Sequence, residues 1–207
     1  INYFRWWDKV AATRPDKIIA ISTVVQNRIK KYYDRDSEII FPPAAKVGDF
    51  RVRNPEYYLI HGRFEPYKKL DLVIKTFQKN KLPLVVSGSG SEFKRYSKIK
   101  YLNIKFIYKP SDEELVNLYQ NAKAFIMPQE EDFGITSVEA QSFGVPVIAY
   151  NKGGSLDTVV DGKTGVLFND QTEESLAKAI EKFDTLSFDN RYLITNAKRF
   201  SEERFKQ

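Results

Sequence analysis

The sequence predicts an α/β fold in which a parallel sheet is covered by helices on both faces. From residue 57 onward, short apolar runs such as 84–87, 124–127 and 145–149 alternate with amphipathic segments of helical period. Continuous apolar runs are typical of parallel strands buried on both faces, and such strands need helical crossovers. The composition agrees, because 42% of the 207 residues are hydrophobic and 29% are charged, as in ordinary globular proteins.

The predicted elements before residue 57 are short. In chain order they are a buried strand at 16–22, a helix at 23–33 and an extended run at 38–41. Thr23 and Gln26 have the spacing of a capping box at the start of that helix. The segment 42–56 contains three prolines and no strong periodicity. We therefore expect it to be an interdomain linker.

A regular alternation follows the linker. The strand and helix pairs are 57–61 with 69–79, 84–87 with 91–99, 104–107 with 112–121, 124–127 with 136–143, and 145–149 with 154–160, and an extended run at 166–168 precedes helices at 172–182 and 190–199. Ser111 and Glu114 form a second expected capping box. Right-handed crossovers between such pairs build a Rossmann-like sheet, which we expect over residues 57–207.

Composition excludes several classes of site. The chain has no cysteine, so it forms no disulfide and no thiolate metal site. Its only histidine, His61, rules out a site with several histidine ligands. The net charge of +6 favours anionic partners. However, the basic residues alternate with apolar residues at helical spacing, which favours solvated helix faces over a nucleic-acid-binding stripe.

Four loops leave the carboxyl ends of consecutive predicted strands, where ligands bind in open α/β sheets. In the first, Gly62 permits a tight turn, Arg63 offers a planar fork of donors, and Lys68 sits at the start of a helix. This combination suits a diphosphate, and two solvated cations are an equally good interpretation. His61, just before it, satisfies its hydrogen bonds at the sheet edge or, as the less favoured alternative, contacts a phosphate or a second domain.

The second and third loops are weaker signals. Gly88 belongs to Ser-Gly-Ser-Gly at 87–90, which either lets a ligand approach the backbone or, as we favour, forms an ordinary turn. Tyr108 and Lys109 precede Ser111 and could form a wall for a base or ribose. Capping of the next helix is the slightly favoured alternative for this loop.

The fourth loop carries two carboxylates, Glu131 in the loop and Glu139 on the following helix. An isolated pair of glutamates is usually solvated. Their position at the ligand-binding edge of the sheet reverses this expectation.

These motifs occur in a recognisable order. Gly-Arg-Phe-x-x-x-Lys at 62–68, Ser-Gly-Ser-Gly at 87–90, Glu-Glu-Asp-Phe-Gly-Ile-Thr-Ser-Val-Glu-Ala at 130–140, Gly-Val-Pro-Val-Ile-Ala at 144–149, Gly-Gly at 153–154 and Asp-Gly-Lys-Thr-Gly at 161–165 together resemble family 4 glycosyltransferases. Those are retaining enzymes of the GT-B architecture, in which two Rossmann-like domains face each other across a cleft. The resemblance covers about residues 57–182.

The resemblance also implies a domain organisation. Residues 1–41 look like the end of the family's N-terminal acceptor domain, 42–56 the crossing, and 57–207 the donor-binding domain. Most of the acceptor domain would then lie outside this chain, so we expect donor binding with negligible sugar transfer. Trp6 and Trp7 would pack against the missing part.

Residue roles are carried over from the family motifs. The resemblance implies that Arg63 and Lys68 bind the diphosphate of a nucleotide sugar and stabilise the leaving group. It also implies that Glu131 and the backbone amides of Phe133, Gly134 and Ile135 bind the donor sugar. Glu139 would bind the ribose. The rest of the donor site would be lined by Gly62, Gly88 and Lys109. No metal or other cofactor is expected. The resemblance implies that Arg63 and Lys68 take the role that a magnesium ion has in other glycosyltransferases.

The implied donor is a nucleotide sugar, with GDP-mannose as the first expectation and UDP-sugars next. The acceptor would be a glycan or a lipid-linked saccharide bound through the missing domain, and nucleic acid is not an expected partner. We expect a cytoplasmic location and leave open peripheral association with the inner membrane surface. Two alternatives are a GT-B sugar-nucleotide epimerase, which the intact pair Glu131 and Glu139 disfavours, and a non-enzymatic module that binds anionic polymers.

Overall fold

The computed structural model describes residues 2–44 and 55–206. Its first part contains helix α1 (Asn2–Ala11), strand β1 (Ile19–Ala20), helix α2 (Thr23–Tyr33) and strand β2 (Glu38–Ile39). Strands β1 and β2 form a two-stranded parallel sheet. Most of the predicted linker, 42–56, lies outside the described residues.

The second part alternates strands and helices. Its elements are β3 (Tyr57–Arg63), α3 (Leu70–Asn80), β4 (Leu84–Ser89), α4 (Ser91–Tyr96), β5 (Ile104–Tyr108), α5 (Asp112–Gln120), β6 (Ala122–Met127), α6 (Ile135–Ser142), β7 (Val147–Tyr150), α7 (Ser155–Thr158), β8 (Gly165–Phe168), α8 (Glu173–Asp184), α9 (Asn190–Lys198) and α10 (Glu202–Phe205). The six strands are all parallel. The predicted Rossmann-like sheet is therefore confirmed.

The strand order places the ligand-binding edge. The order is β5-β4-β3-β6-β7-β8, with β3 and β6 side by side at the centre. The chain first builds outward from β3 through β4 to β5. It then crosses back to β6 and builds outward in the opposite direction through β7 to β8. Helices that follow β3 and β6 must leave in opposite directions, and this opens a crevice at the carboxyl ends of these two strands. The loops after β3 and β6 are thus the first candidates for a site.

Both faces of the sheet are buried, as the apolar runs predict. Along β3, Tyr58 and Ile60 pack on one side with Phe77 of α3, whereas Leu59 packs on the other side with Tyr119. This alternation follows from the two-residue period of a strand. A third, smaller cluster contains Phe41, Phe133 and Phe200, with ring centroids 5.1–5.8 Å apart. It connects the end of the first part, the loop after β6 and the residues after α9.

Helix α2 has the predicted bounds but a different cap. Ser22 is the N-cap residue, and its side chain accepts a hydrogen bond from the Val25 amide. The predicted capping box of Thr23 and Gln26 is wrong, because Asp157 accepts hydrogen bonds from the Thr23 amide at 2.9 Å and from its hydroxyl at 2.6 Å. In contrast, the capping box of Ser111 and Glu114 is confirmed.

Other expectations need smaller corrections. The buried strand expected at 16–22 is only two residues long, and its first residue, Ile19, and the adjacent Ile21 are 57% and 41% exposed. A short 3-10 helix, Pro66–Lys68, precedes α3, so Lys68 lies there and not in the first turn of α3. Helix α10 was not expected. No helix within the described ranges is long and apolar enough to cross a membrane.

Gly88 is needed where β3 and β4 approach each other. It lies within β4 opposite Gly62, and a Cβ atom on Gly88 would fall 1.9 Å from the Gly62 carbonyl oxygen. The favoured interpretation of Gly88 as part of an ordinary turn is therefore wrong. What approaches its backbone is the neighbouring strand.

We expect Gly88→Ala to destabilise the fold by about 1–3 kcal/mol more than Gly162→Ala, because it adds overpacking to backbone strain. Gly162 is a matched control, since it also has a positive φ but nothing lies within 4 Å of its added Cβ. Urea unfolding measures both free energies. Equal losses would show that the close contact with Gly62 is easily relieved.

His61 satisfies its hydrogen bonds within the sheet. Its Nδ1 lies 2.7 Å from the Ser87 hydroxyl on the adjacent strand. Burial lowers the pKa of His61 below its usual value, so the imidazole is neutral at pH 7. This geometry agrees with the favoured interpretation of His61 as a structural residue.

Because the folded protein resists protonation of His61, the unfolded chain binds this proton more readily. The contribution of neutral His61 to the free energy of unfolding is therefore complete above the pKa of about 6.5 that histidine has in the unfolded chain. It is lost as the pH falls below that value. We expect the free energy of unfolding to decrease from about pH 7.5 to about pH 5.5, and to do so less in His61→Gln. Chemical denaturation at both pH values tests this, and identical pH dependence in both proteins would contradict it.

Candidate functional site

Lys68 and Glu131 meet at the crevice between β3 and β6. The Lys68 ammonium forms an ion pair with Glu131 Oε1, and the two side chains are only 19% and 21% exposed. Gln129 Nε2 donates a second hydrogen bond to the same oxygen, at 2.7 Å. The loop after β3 and the loop after β6 are thus joined through two of the predicted site residues.

Arg63 is the last residue of β3, and its side chain is 82% exposed. Its Nε lies 3.6 Å from Glu65 Oε1. Glu65 in turn accepts a hydrogen bond from the Ser91 hydroxyl at 2.7 Å, and this bond lowers the pKa of Glu65. The glutamate therefore stays ionised beside Arg63, whose remaining donors point to solvent and can bind an anion.

An open groove of about 590 Å³ continues from Arg63 along the carboxyl ends of β4 and β5. Its lining includes Lys94 and Lys109, so three cations face one carboxylate, Glu65. The Lys109 amide donates to the Gly88 carbonyl at 2.9 Å, which fixes this wall to β4. Lys94 is one of the basic residues whose helical spacing favours a solvated helix face, and no sequence motif indicates that it lines a groove.

Tyr108 and Lys109 do not cap α5, because Ser111 alone provides the N-cap side chain. The Lys109 ammonium lies 5.5 Å from the centroid of the Tyr108 ring, and this ring is half exposed at the groove. Capping, the favoured interpretation of this loop, is confirmed through Ser111 and Glu114, and Tyr108 and Lys109 line the groove beside that cap.

Glu139 lies on α6 and is oriented by Tyr119. The Tyr119 hydroxyl donates to Glu139 Oε2 at 3.3 Å, and the ring stacks on Phe143 with centroids 5.4 Å apart. Burial, together with the nearby charge of Glu139, raises the pKa of Tyr119, so the hydroxyl remains a donor. Sequence reasoning missed Tyr119, because an aromatic residue at helical spacing only predicts core packing.

The start of α6 supplies backbone groups. Gly134 is its N-cap residue and makes no side-chain cap, and Ile135 is the first helical residue. The Phe133 side chain is buried between Phe41 and Phe200, so this residue can offer a ligand only its backbone. Amides at a helix start attract anions and hydroxyl oxygens.

Acidic residues do not gather into a metal site in the ranges 2–44 and 55–206, where no group of three or more His, Cys, Asp or Glu could hold an ion. Asp34 and Asp36, which form an Asp-x-Asp sequence after α2, both pair with Lys30.

Comparison with known proteins identifies the family. Residues 48–200 match the family described as glycosyl transferases group 1. An uncharacterised glycosyltransferase of Methanocaldococcus jannaschii is 24% identical over 96% of this chain and 58% of its own length. O-antigen chain mannosyltransferase C of Escherichia coli is 25% identical over 94% of this chain and 56% of its own length. The chain thus spans just over half of these two relatives.

The fold comparison agrees with the sheet described above. The crystal structure of Anabaena HepE in complex with UDP-glucose superposes with a TM-score of 0.79 at 17% identity, covering 98% of this chain and 65% of HepE. The architecture is that expected for one half of a GT-B fold. Because the family match extends over residues 48–200 of 207, the chain belongs to the glycosyl transferases group 1 family.

Proposed function

We propose that this chain is the donor-binding part of a retaining glycosyltransferase that moves a hexosyl group from a nucleoside-diphosphate sugar to a glycan or lipid-linked acceptor. The observation that carries the proposal is the pairing of Lys68 with Glu131 at the crevice, beside the exposed Arg63. In this proposal residues 1–41 end an acceptor domain and 57–207 bind the donor. Acceptor contacts then come from the rest of a longer protein.

Arg63 and Lys68 bind the diphosphate in this proposal. An ammonium has three donors, so Lys68 can contact phosphate oxygens and still keep its bond to Glu131. Negative charge grows on the diphosphate as the sugar leaves. Two fixed cations therefore stabilise the transition state more than the bound donor. A metal ion is not required, and binding in the presence of EDTA tests this point.

Glu131 accepts hydrogen bonds from hydroxyls of the donor sugar. Lys68 and Gln129 both contact Oε1, so Oε2 can accept from a sugar hydroxyl. The amides of Phe133, Gly134 and Ile135, at the start of α6, complete the sugar site. Because Lys68 holds Glu131 directly, the sugar and the diphosphate sites share one contact.

Glu139 binds the ribose hydroxyls, since a carboxylate has two oxygens that suit a vicinal diol. Tyr119 already orients one of these oxygens. The groove beside Gly62, Gly88 and Lys109 then accommodates the nucleoside.

GDP-mannose is the first donor to test, and UDP-sugars follow. The similarity to an O-antigen chain mannosyltransferase supports the first, and the superposition on HepE with UDP-glucose supports the second. We propose a cytoplasmic protein that works beside the inner membrane surface, where lipid-linked acceptors are available.

A thermal-shift screen of GDP, UDP, ADP and their common sugar conjugates tests the proposal directly. A ligand at about 100 times its Kd stabilises the fold by about 2.7 kcal/mol. Single-stranded DNA at two salt concentrations is the counter-screen, because binding to a polymer through its phosphates weakens steeply with salt. Stabilisation by DNA alone would reject the proposed donor site.

With the nucleotide that the screen selects, Arg63→Ala and Lys68→Ala should each weaken the diphosphate by about 1.5–3 kcal/mol and the nucleoside far less. The lost contacts are charge-assisted bonds to phosphate. Lys98→Ala is the control, since Lys98 lies before β5 at the opposite edge of the sheet. Calorimetry that finds equal losses for diphosphate and nucleoside would refute the assigned role.

Glu131 and Glu139 should differ when each is changed to Gln. Glu139→Gln should weaken the nucleotide sugar and the free diphosphate alike, because both contain the ribose. Glu131→Gln should weaken only the nucleotide sugar, because the freed Lys68 keeps its full charge for the diphosphate. Calorimetry with both ligands separates these outcomes, and a similar loss of free diphosphate in the two variants would contradict the division.

A further inference from the structure

Three consecutive carboxylates follow β6, and their side chains point in alternate directions. Arg28 of α2 binds the outer two, through Nη2 to Glu130 at 3.2 Å and through Nη1 to Asp132. Glu131, between them, contacts Lys68 and Gln129 instead. Such alternation is the geometry of an extended chain, and Glu131 does form a parallel bridge with Gly153.

The backbone of Glu131 is held from its other side. Its carbonyl accepts a hydrogen bond from the Gly154 amide at 2.7 Å. A Cβ atom on Gly153 would lie 2.3 Å from the same carbonyl oxygen, so only glycine allows this approach. Helix α2 is also bound to the segment that begins with Gly153 and Gly154, because Thr23 donates hydrogen bonds to Asp157. The helix therefore contacts both segments that enclose Glu131.

Charge explains why the direction of Glu131 needs support. Three adjacent carboxylates repel one another when all are ionised. Arg28, Glu130 and Asp132 are 44%, 43% and 57% exposed, so their ion pairs contribute little to global stability. The planar guanidinium can, however, hold two carboxylates in a fixed relative geometry, whereas an ammonium is a point charge that fixes no direction between its partners. Its effect is on orientation.

We propose that Arg28 is a positioning residue for Glu131. By binding Glu130 and Asp132 on one face of the loop, it directs the Glu131 carboxylate to the opposite face, where Lys68 lies and the donor sugar binds. The ligand of Glu131 rests on the proposed function, whereas the alternation of the three carboxylates does not. Arg28 precedes the predicted linker, so a residue outside the six-stranded part controls a group in its site.

Calorimetry with GDP-mannose and GDP, or with the sugar nucleotide and diphosphate that the screen selects, tests this role. Arg28→Ala should weaken the sugar nucleotide about tenfold and the free diphosphate by no more than about twofold, because only the sugar meets Glu131. Lys30→Ala is a matched control in the same helix, where the lost cation pairs, among the described residues, with exposed Asp34 and Asp36. It should leave both affinities unchanged. Equal weakening of both ligands by Arg28→Ala would overturn the proposal.

A mutant cycle separates positioning from direct contact with the ligand. In the Glu130→Gln/Asp132→Asn background, Arg28 has no carboxylates to hold, so Arg28→Ala should cost no further affinity. A loss that persists in this background would show that Arg28 acts on the ligand or on the fold, and would overturn the proposal. Arg28→Lys in the original background should give an intermediate loss, because one ammonium cannot hold both carboxylates equally well.

A measurement without ligand keeps this test independent of the proposed function. Hydrogen exchange at the Gly154 amide reports how often its bond to the Glu131 carbonyl opens. Arg28→Ala should accelerate this exchange and Lys30→Ala should not. If the unaltered chain binds no nucleotide sugar, the proposed function fails while this comparison still decides the role of Arg28. Unchanged exchange at Gly154 in Arg28→Ala would refute it.

Discussion

The reversal of strand order between β3 and β6 is the constraint on which the site depends. Parallel strands buried on both faces leave few places where polar groups can gather, and their carboxyl ends are the main ones. At this reversal the flanking loops separate, and Lys68 from one side reaches Glu131 on the other. The ion pair thus lies where the loops after β3 and β6 separate. Arg63 ends β3 on one side of this place, and α6, which carries Glu139, follows the loop on the other.

Charge in this region is matched locally. The three glutamates discussed above each have their own donors: Glu65 has Ser91 and Arg63, Glu131 has Lys68 and Gln129, and Glu139 has Tyr119. Such pairing holds the side chains in one direction before a ligand arrives. Pre-organisation of this kind reduces the entropy lost on binding. Arg63 is the least constrained of these donors, since most of its side chain faces solvent.

Much of the fold could be predicted from the sequence because each strand is a short, continuous apolar run. The predicted site residues at the crevice, Lys68 and Glu131, also came together, since strand ends determine where loops meet. The capping of α2 was predicted wrongly because Asp157, distant in sequence, binds Thr23. Tyr119 and Arg28 were missed for a related reason. Their roles depend on contacts 20 and more than 100 residues away, which neither periodicity nor a local motif reveals.

The cluster of Phe41, Phe133 and Phe200 has a consequence for how the protein responds to change at its ends. Phe133 lies between Asp132 and Gly134, and its buried ring packs against Phe200 and Phe41. Phe200, which follows α9, therefore helps to hold the loop after β6 that carries Glu131. A substitution at Phe200 would therefore disturb the loop that carries Glu131 without removing any polar group at the crevice. The residues that support this loop are therefore far from it in the sequence, at Phe41 and Phe200.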